Sequence, residues 1–355
     1  MANSLLIVEN PFPKPPRIPK RFGWSYSTQK LFRKCKRKFF WTKLFRLRSR
    51  REAAPLVISS AGHEGLELWY RFPKVRMSKV AARIVKETKA RIEGNSRFYN
   101  QDDYDNLMIL LDTVTGMLMG YASNYASDRK KWKINRKTGV EAWFDINMGP
   151  FDYRGKIDLL PIIDGKQRVL DHKIISKLDG AFIEALPMDG QLRSYLLGTR
   201  RGLNLNPKQV TYNMIKKCKL RRKSSESLKD FSDRIQLDYM NRPEFYFHRE
   251  TLTFTKAEIA NFVYSLETTN AEYEWLLSRM DDPLDPQEWP EADHNCGEFF
   301  KTCEFFPLCN ECLDRGTGQL YSQYNPEDKK HATKKKKGKG KVVKKGSKGK
   351  GQKKK

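Results

Sequence analysis

An α/β domain, with a mixed sheet flanked by helices, is the fold class that this sequence predicts, and three observations carry it. The first third of the chain repeats apolar residues at helical intervals, as in Leu107, Leu110, Leu111, Val114 and Leu118. From Lys133 the character changes to three short runs read as strands in a meander: EAWFDINM, FDYRGKIDLLPII and QRVLDHKII, the last two divided by a DGK turn. A helical stretch from Leu186 to Leu203 then leads into one more strand, QVTYNMIKKC, buried if Val210, Tyr212 and Met214 alternate inward.

Taken in order, Asn10 to Pro19 carries five prolines and reads as an extended arm, placed at 1–24. Ser25 or Ser27 caps a basic amphipathic helix in which Leu31, Cys35, Phe39 and Thr42 share one side. Helical spacing recurs over Gly62 to Tyr70, Val80 to Ile92 and Tyr104 to Tyr125, completing a helical part at 25–132. The sheet and its helix occupy 133–250. RRKSSESLKD is a charged loop, FYFHRETLTF holds a strand, and Thr255 opens a helix to about Met280. That helix and a cysteine segment make up 251–328. Together 25–328 form one folded domain, followed by a disordered basic tail at 329–355.

Charge sets the partner. The 355 residues carry a formal net charge of +27, of which 15 lysines in residues 329–355 supply +15, so the folded part is basic too. A strongly acidic partner is expected. The longest apolar runs, such as Leu5 to Val8, fall far short of the ~18 residues needed to cross a bilayer, and no segment reads as a secretory leader. No membrane is therefore expected, and the location is intracellular: the cytoplasm of a bacterium or phage-infected host, or the nucleus of a eukaryote. No G-x-x-x-x-G-K-[ST] occurs, so any helicase is another chain.

The chemistry centres on two acids and a lysine. Asp158 stands in an apolar strand, and after the Asp164-Gly165 turn come Asp171 and Lys173, which share one face while His172 points to the other. Leu160 and Val169 lie symmetrically about the turn, so Asp158 faces Asp171. Two adjacent carboxylates repel unless a cation lies between them, and hard oxygen ligands suit Mg2+ or Mn2+. Such an ion can activate water and polarise a phosphoryl oxygen, while Lys173 offsets developing charge, a set suited to phosphodiester hydrolysis. The alternative for this trio alone is a surface Asp-Lys ladder.

Five segments in order resemble the PD-(D/E)XK nuclease superfamily, in the RecB-like branch that includes CRISPR-associated iron-sulfur exonucleases and related phage nucleases. They are SYSTQKLFRKC, SSAGHEGLEL, GKID, DHK and QLRSY, with a cysteine segment following. The resemblance implies a restriction-endonuclease-like core and a metal-dependent DNA nuclease, an exonuclease acting on DNA ends in recombination, repair or phage replication. It implies that His63, Asp158 and Asp171 bind the metal with the His172 carbonyl as a further ligand, that Lys173 acts on the attacking water, and that Gln191 and Tyr195 hold substrate or position Lys173. A separate helicase or recombination protein is the implied partner besides DNA. The spacing agrees for Gln191 and Tyr195, which share a helix face at i and i+4. His172 replaces the tyrosine frequent in the family.

HNCGEFFKTCEFFPLCNEC spaces its thiols C-x6-C-x5-C-x2-C, which suits either tetrahedral Zn2+ or an iron-sulfur cluster. The resemblance implies that Cys35 joins Cys296, Cys303 and Cys309 to hold a [4Fe-4S] cluster, stapling the chain ends; a local Zn2+ site including Cys312 is the alternative. Cys218 is read as unliganded. Between Lys30 and Arg51, Phe32, Phe39, Phe40, Trp41 and Phe45 interleave with cations, which reads as nucleic-acid contact or as core packing with solvated charges. The lysine tail suits phosphate backbones without sequence preference. A non-catalytic nucleic-acid-binding protein with a structural zinc is the rival to the nuclease.

Overall fold

The computed structural model describes residues 17–297, 302–310 and 320–323; most of the proline-rich arm, Cys312 and the lysine tail lie outside the described residues. Its strands are β1 (Gly23–Trp24), β2 (Val140–Asn147), β3 (Asp152–Leu159), β4 (Val169–Ile175), β5 (Gln209–Lys216) and β6 (Phe247–Thr253). They pair in the order β1-β3-β4-β5-β6, with β2 also paired to β3. β4 and β5 run parallel, whereas β2 with β3, β3 with β4 and β5 with β6 are antiparallel, so the sheet is mixed as predicted.

The helices that cover it are α1 (Tyr26–Lys34), α2 (Ala54–Arg71), α3 (Met77–Glu93), α4 (Gln101–Asn124), α5 (Gly190–Leu197), α6 (Leu228–Asn241) and α7 (Lys256–Leu277). Buried residues fall into two cores, because alternate side chains leave a strand on opposite sides. Val169, Tyr212 and Met214 join Phe32, Leu196 and Phe262 from α1, α5 and α7. Leu170, Ile174 and Ile215 join Val57, Ile84, Val114 and Ile235 from α2, α3, α4 and α6.

Several expectations are corrected. The basic N-terminal helix is broken: Cys35 is extended (φ −162°, ψ 116°), and its sulfur caps the short helix Lys36–Phe39 by accepting the Lys38 N–H at 3.4 Å. A π-turn follows at Phe40–Leu44, which lets Phe39, Phe40 and Trp41 all be buried. The buried set on α1 is Thr28, Gln29 and Phe32 rather than a side shared with Leu31 and Cys35. Further on, Leu47–Ser49 is a strand paired with Tyr321–Gln323.

The meander is also interrupted. Pro161–Ile163 folds back on Lys166–Gln167 and pairs with Lys133–Ile134 in a separate small sheet. Asp164 and Gly165 both take positive φ (50° and 74°), the conformation a two-residue hairpin turn requires. β3 and β4 meet at the single pair Leu159↔Leu170, which is the predicted register. Helix α6, unanticipated, starts where Ser227 accepts the Asp230 N–H, inside the stretch read as a charged loop.

His172 leaves β4 on the side away from Lys173 and anchors a buried polar network. Its Nδ1 accepts from Asn213 Nδ2 at 2.7 Å. Arg249 Nε donates to Asn213 Oδ1 at 2.8 Å and its guanidinium pairs with Asp128 at 2.5 Å. Burial pushes the His172 imidazole down to about 3, so it stays neutral. Asp128→Ala leaves the Arg249 guanidinium without its carboxylate, and the expected loss is about 3 kcal/mol in denaturant unfolding. A loss within about 0.5 kcal/mol would make this pair no more than a surface contact.

Candidate active site

The site forms where β3 and β4 separate. Past Leu159 and Leu170 the ladder gives way, and the His172 N–H donates to Asp158 Oδ2 at 2.8 Å instead of to a backbone carbonyl. His63, two turns into α2, brings Nδ1 to 3.4 Å from the same oxygen. The helix can come this close because Gly62, beside it, lies against the Ile174 side chain of β4 with no Cβ between.

Asp171 is only 1% exposed. Tyr195 Oη donates to its Oδ1 at 2.9 Å, while Oδ2 is buried without any hydrogen-bond partner and lies 4.0 Å from Lys173 Nζ. Lys173 in turn donates to Gln191 Oε1 at 2.6 Å, and Gln191 Nε2 donates to Tyr195 Oη at 2.7 Å. One helical turn of α5 therefore links the lysine to the acid, as i and i+4 spacing allows.

Electrostatics separate the two carboxyls. Burial, then the charge of Asp158, pushes Asp171 up to about 7. Burial would raise Asp158 as well, but the hydrogen bond and charge of His63, with help from His172, hold it down at about 2. For His63 burial acts downward, and the hydrogen bond and charge of Asp158 turn the shift upward. Burial and the neighbouring charges thus drive the two carboxyls apart, Asp171 upward and Asp158 downward.

Two residues outside the sequence reading belong to the surroundings. Glu141 lies opposite Asp158, between the pairs Val140↔Leu159 and Ala142↔Ile157, with φ +54°. Its carboxylate pairs with Lys156, and burial raises it. Asp189 caps α5 by accepting the Gln191 N–H at 2.8 Å and takes the Tyr212 hydroxyl at 2.5 Å, while Lys173 Nζ stands 5.5 Å from the Tyr212 ring. An acid just ahead of Q-x-x-x-Y was a readable capping signal for Asp189; Glu141 was visible only as an acid within an apolar strand.

The cysteine segment folds onto α1. Asn295 Nδ2 donates to the Lys34 carbonyl at 2.7 Å, and Arg37 reaches the carbonyl of the buried Trp289 at 3.0 Å. The Cys303 N–H donates to the Cys296 carbonyl at 2.8 Å. Burial raises the Cys296 thiol, with Cys303 and Cys35 adding to it. Burial likewise pushes Cys309 up to about 11, and the same two thiols contribute. The Cys35 and Cys303 sulfurs thus act on both Cys296 and Cys309, although the four do not stand in a ready-made metal cluster. Cys218 is elsewhere, against the other core.

The aromatic residues between Lys30 and Arg51 are core: Phe32, Phe39, Phe40, Trp41 and Phe45 are all buried. The neighbouring cations Lys36, Arg37 and Lys38 pair with Glu272, Glu291 and Glu304.

The family model described as the PD-(D/E)XK nuclease superfamily matches residues 23–310. The chain belongs to the PD-(D/E)XK nuclease superfamily. PD-(D/E)XK nucleases use divalent metals such as Mg2+ or Mn2+, with DNA as substrate. No curated protein matches the chain. The crystal structure of SSO0001 aligns with a TM-score of 0.26 and 16% identity, over 54% of this chain and 71% of that one. Among the described residues of this PD-(D/E)XK chain, no three His, Cys, Asp or Glu side chains stand in a ready-made metal cluster, and no helix is long and apolar enough to cross a membrane.

Proposed function

We propose that the chain is a Mg2+- or Mn2+-dependent deoxyribonuclease that trims DNA ends as an exonuclease in recombination, repair or phage replication. The observation that carries the catalytic part is the Asp171 Oδ2 atom, a buried carboxylate oxygen without a donor beside an ionised Asp158. Left so, it costs about 1–3 kcal/mol in desolvation, and a cation answers that cost. Asp158, Asp171, His63 and the His172 carbonyl would hold the ion. When bound, it supplies Lewis-acid polarisation of a phosphoryl oxygen and acidifies a water.

The chain's own groups do the rest. Tyr195 occupies Asp171 Oδ1 and so reserves Oδ2 for the ligand. Gln191 fixes the Lys173 ammonium, which orients a water and offsets the negative charge that develops on the phosphate. Lys173→Gln is expected to lower the turnover rate about 100-fold or more while leaving DNA affinity in EDTA within about threefold. Equal losses in both would make Lys173 a binding residue only.

Cys35, Cys296, Cys303 and Cys309 are proposed to hold a [4Fe-4S] cluster, with Zn2+ as the alternative. Support comes from the Cys35 and Cys303 thiols, whose charges act on both Cys296 and Cys309, and from the buried Trp41 Nε1 proton, which faces the Cys309 sulfur. Trimming of long duplexes would call for a separate helicase or recombination protein.

The test is digestion of 5′- and 3′-labelled linear DNA and of a closed circle, with Mg2+, with Mn2+ and with EDTA. Loss of label from linear DNA alone, in either metal, is the expected result. Cutting of the circle would replace the exonuclease by an endonuclease, and undiminished cleavage in EDTA would overturn the metal mechanism.

A further inference from the structure

We infer that residues 217–223, together with Lys216, form a preformed clamp for a DNA phosphate backbone at the rim of the active site. The inference deepens the nuclease reading and rests on it for the identity of the polymer. Six of these eight residues are Lys or Arg and none is acidic. Lys219, Arg221 and Lys223 are exposed, and among the described residues their side chains make no ion pair or hydrogen bond, although the charge of Lys223 reaches Glu226 at longer range. This sets them apart from the cations at Lys36, Arg37 and Lys38, which are already neutralised by glutamates.

The backbone beneath them is pinned at almost every residue. The Tyr239 hydroxyl accepts the Cys218 N–H at 2.8 Å and donates to the Lys216 carbonyl at 3.0 Å. Arg234 donates to the Arg221 carbonyl at 2.9 Å, and the Glu226 carboxylate, itself gripped by Arg234 at 2.7 Å, accepts the Lys223 N–H at 3.0 Å. Leu220 and Cys218 pack against the core on that side. A loop held so firmly while presenting free cations is preorganised, which lowers the ordering cost of binding.

Its position links it to the chemistry. The Lys217 N–H donates to the Ile175 carbonyl at 2.7 Å, only two residues beyond Lys173, or about 7 Å along the strand. Lys217 Nζ donates at 2.9 Å to the Pro55 carbonyl at the start of α2, the helix that carries His63. The clamp therefore bridges the two elements that flank the site. Exposed lysine and arginine with no aromatic or amide side chain among them suit phosphates and not base edges, so the contact positions a strand without reading its sequence.

The test is the salt dependence of binding of the full chain to a short fluorescein-labelled DNA, in EDTA so that cleavage is silent. In the triple variant Lys219→Gln, Arg221→Gln, Lys223→Gln, the plot of log affinity against log salt should be shallower by about 2 to 3, from a slope of about 0.7–0.9 per phosphate contact. The matched variant Lys74→Gln, Lys79→Gln, Lys86→Gln, which removes the same charge from exposed positions at α3, should keep the wild-type slope. A wild-type slope in the first variant, or an equal drop in the second, overturns the clamp. Single variants Lys219→Gln and Lys223→Gln, each expected to remove about one contact, decide the matter if the triple variant melts early. Absence of metal-dependent cleavage with a reduced slope would sink the nuclease reading and leave the clamp standing.

Discussion

Asp171→Asn is expected to lower DNA cleavage by about a thousandfold or more, since one electrostatic stabiliser of a transition state is worth about 10²–10³ and this carboxylate is also proposed to hold the ion. Stability should move the other way. The substitution keeps the size of the side chain and its acceptance from Tyr195, and above pH 7, where this raised carboxyl ionises, it removes a buried charge that lacks a donor on Oδ2. In EDTA above that pH its melting temperature should therefore equal or exceed that of the wild type. Wild-type cleavage rates would remove Asp171 from the active site, and a large drop in melting temperature would make it structural. Asp158 is a poorer probe, because its Oδ2 also stands in for a sheet hydrogen bond to His172.

Cys309→Ser is expected to strip the iron and sulfide of the proposed cluster from anaerobically purified protein and to lower the melting temperature by roughly 6 °C, corresponding to about 4 kcal/mol in a domain of this size. Cys35→Ser should do the same although it is more than 260 residues away in the chain, since its thiol is the proposed fourth ligand and its charge acts on Cys309. Cys218→Ser, on the opposite core, should change neither metal content nor melting by a comparable amount. Zinc without iron in the wild type would replace the cluster by the zinc alternative, and the absence of both would remove the metal staple.

How much of this was legible varies with the range of the forces involved. Asp171 and Lys173 share a face, and Asp158 falls in register opposite Asp171, because strand alternation and a two-residue turn are local rules; the Leu159↔Leu170 pair follows the same symmetry. Gln191 and Tyr195 were readable for the same reason. The approach of His63 to Asp158 depends on how α2 packs on the sheet, which no local pattern gives, and it entered through family resemblance alone. Glu141 was hidden because its place opposite Asp158 depends on a positive φ within a strand. The break at Cys35 was hidden because helix periodicity has no term for a sulfur acting as a cap. Helix α6 does carry a local signal within its charged surroundings: Phe231, Ile235 and Tyr239 recur at four-residue intervals and all are buried.

The strand Leu47–Ser49 has its partner in Tyr321–Gln323, and Trp24 Nε1 donates to Asn270 Oδ1 at 2.9 Å. As the nascent polypeptide leaves the ribosome, Trp24 and Leu47–Ser49 must therefore wait for partners made more than 240 residues later. The α2 to α4 layer and strands β2 to β6 can condense first, while β1 and α1 remain exposed to chaperones or proteases. Loss of Tyr321–Gln323 would thus injure Leu47–Ser49, some 270 residues away, as much as its own neighbourhood.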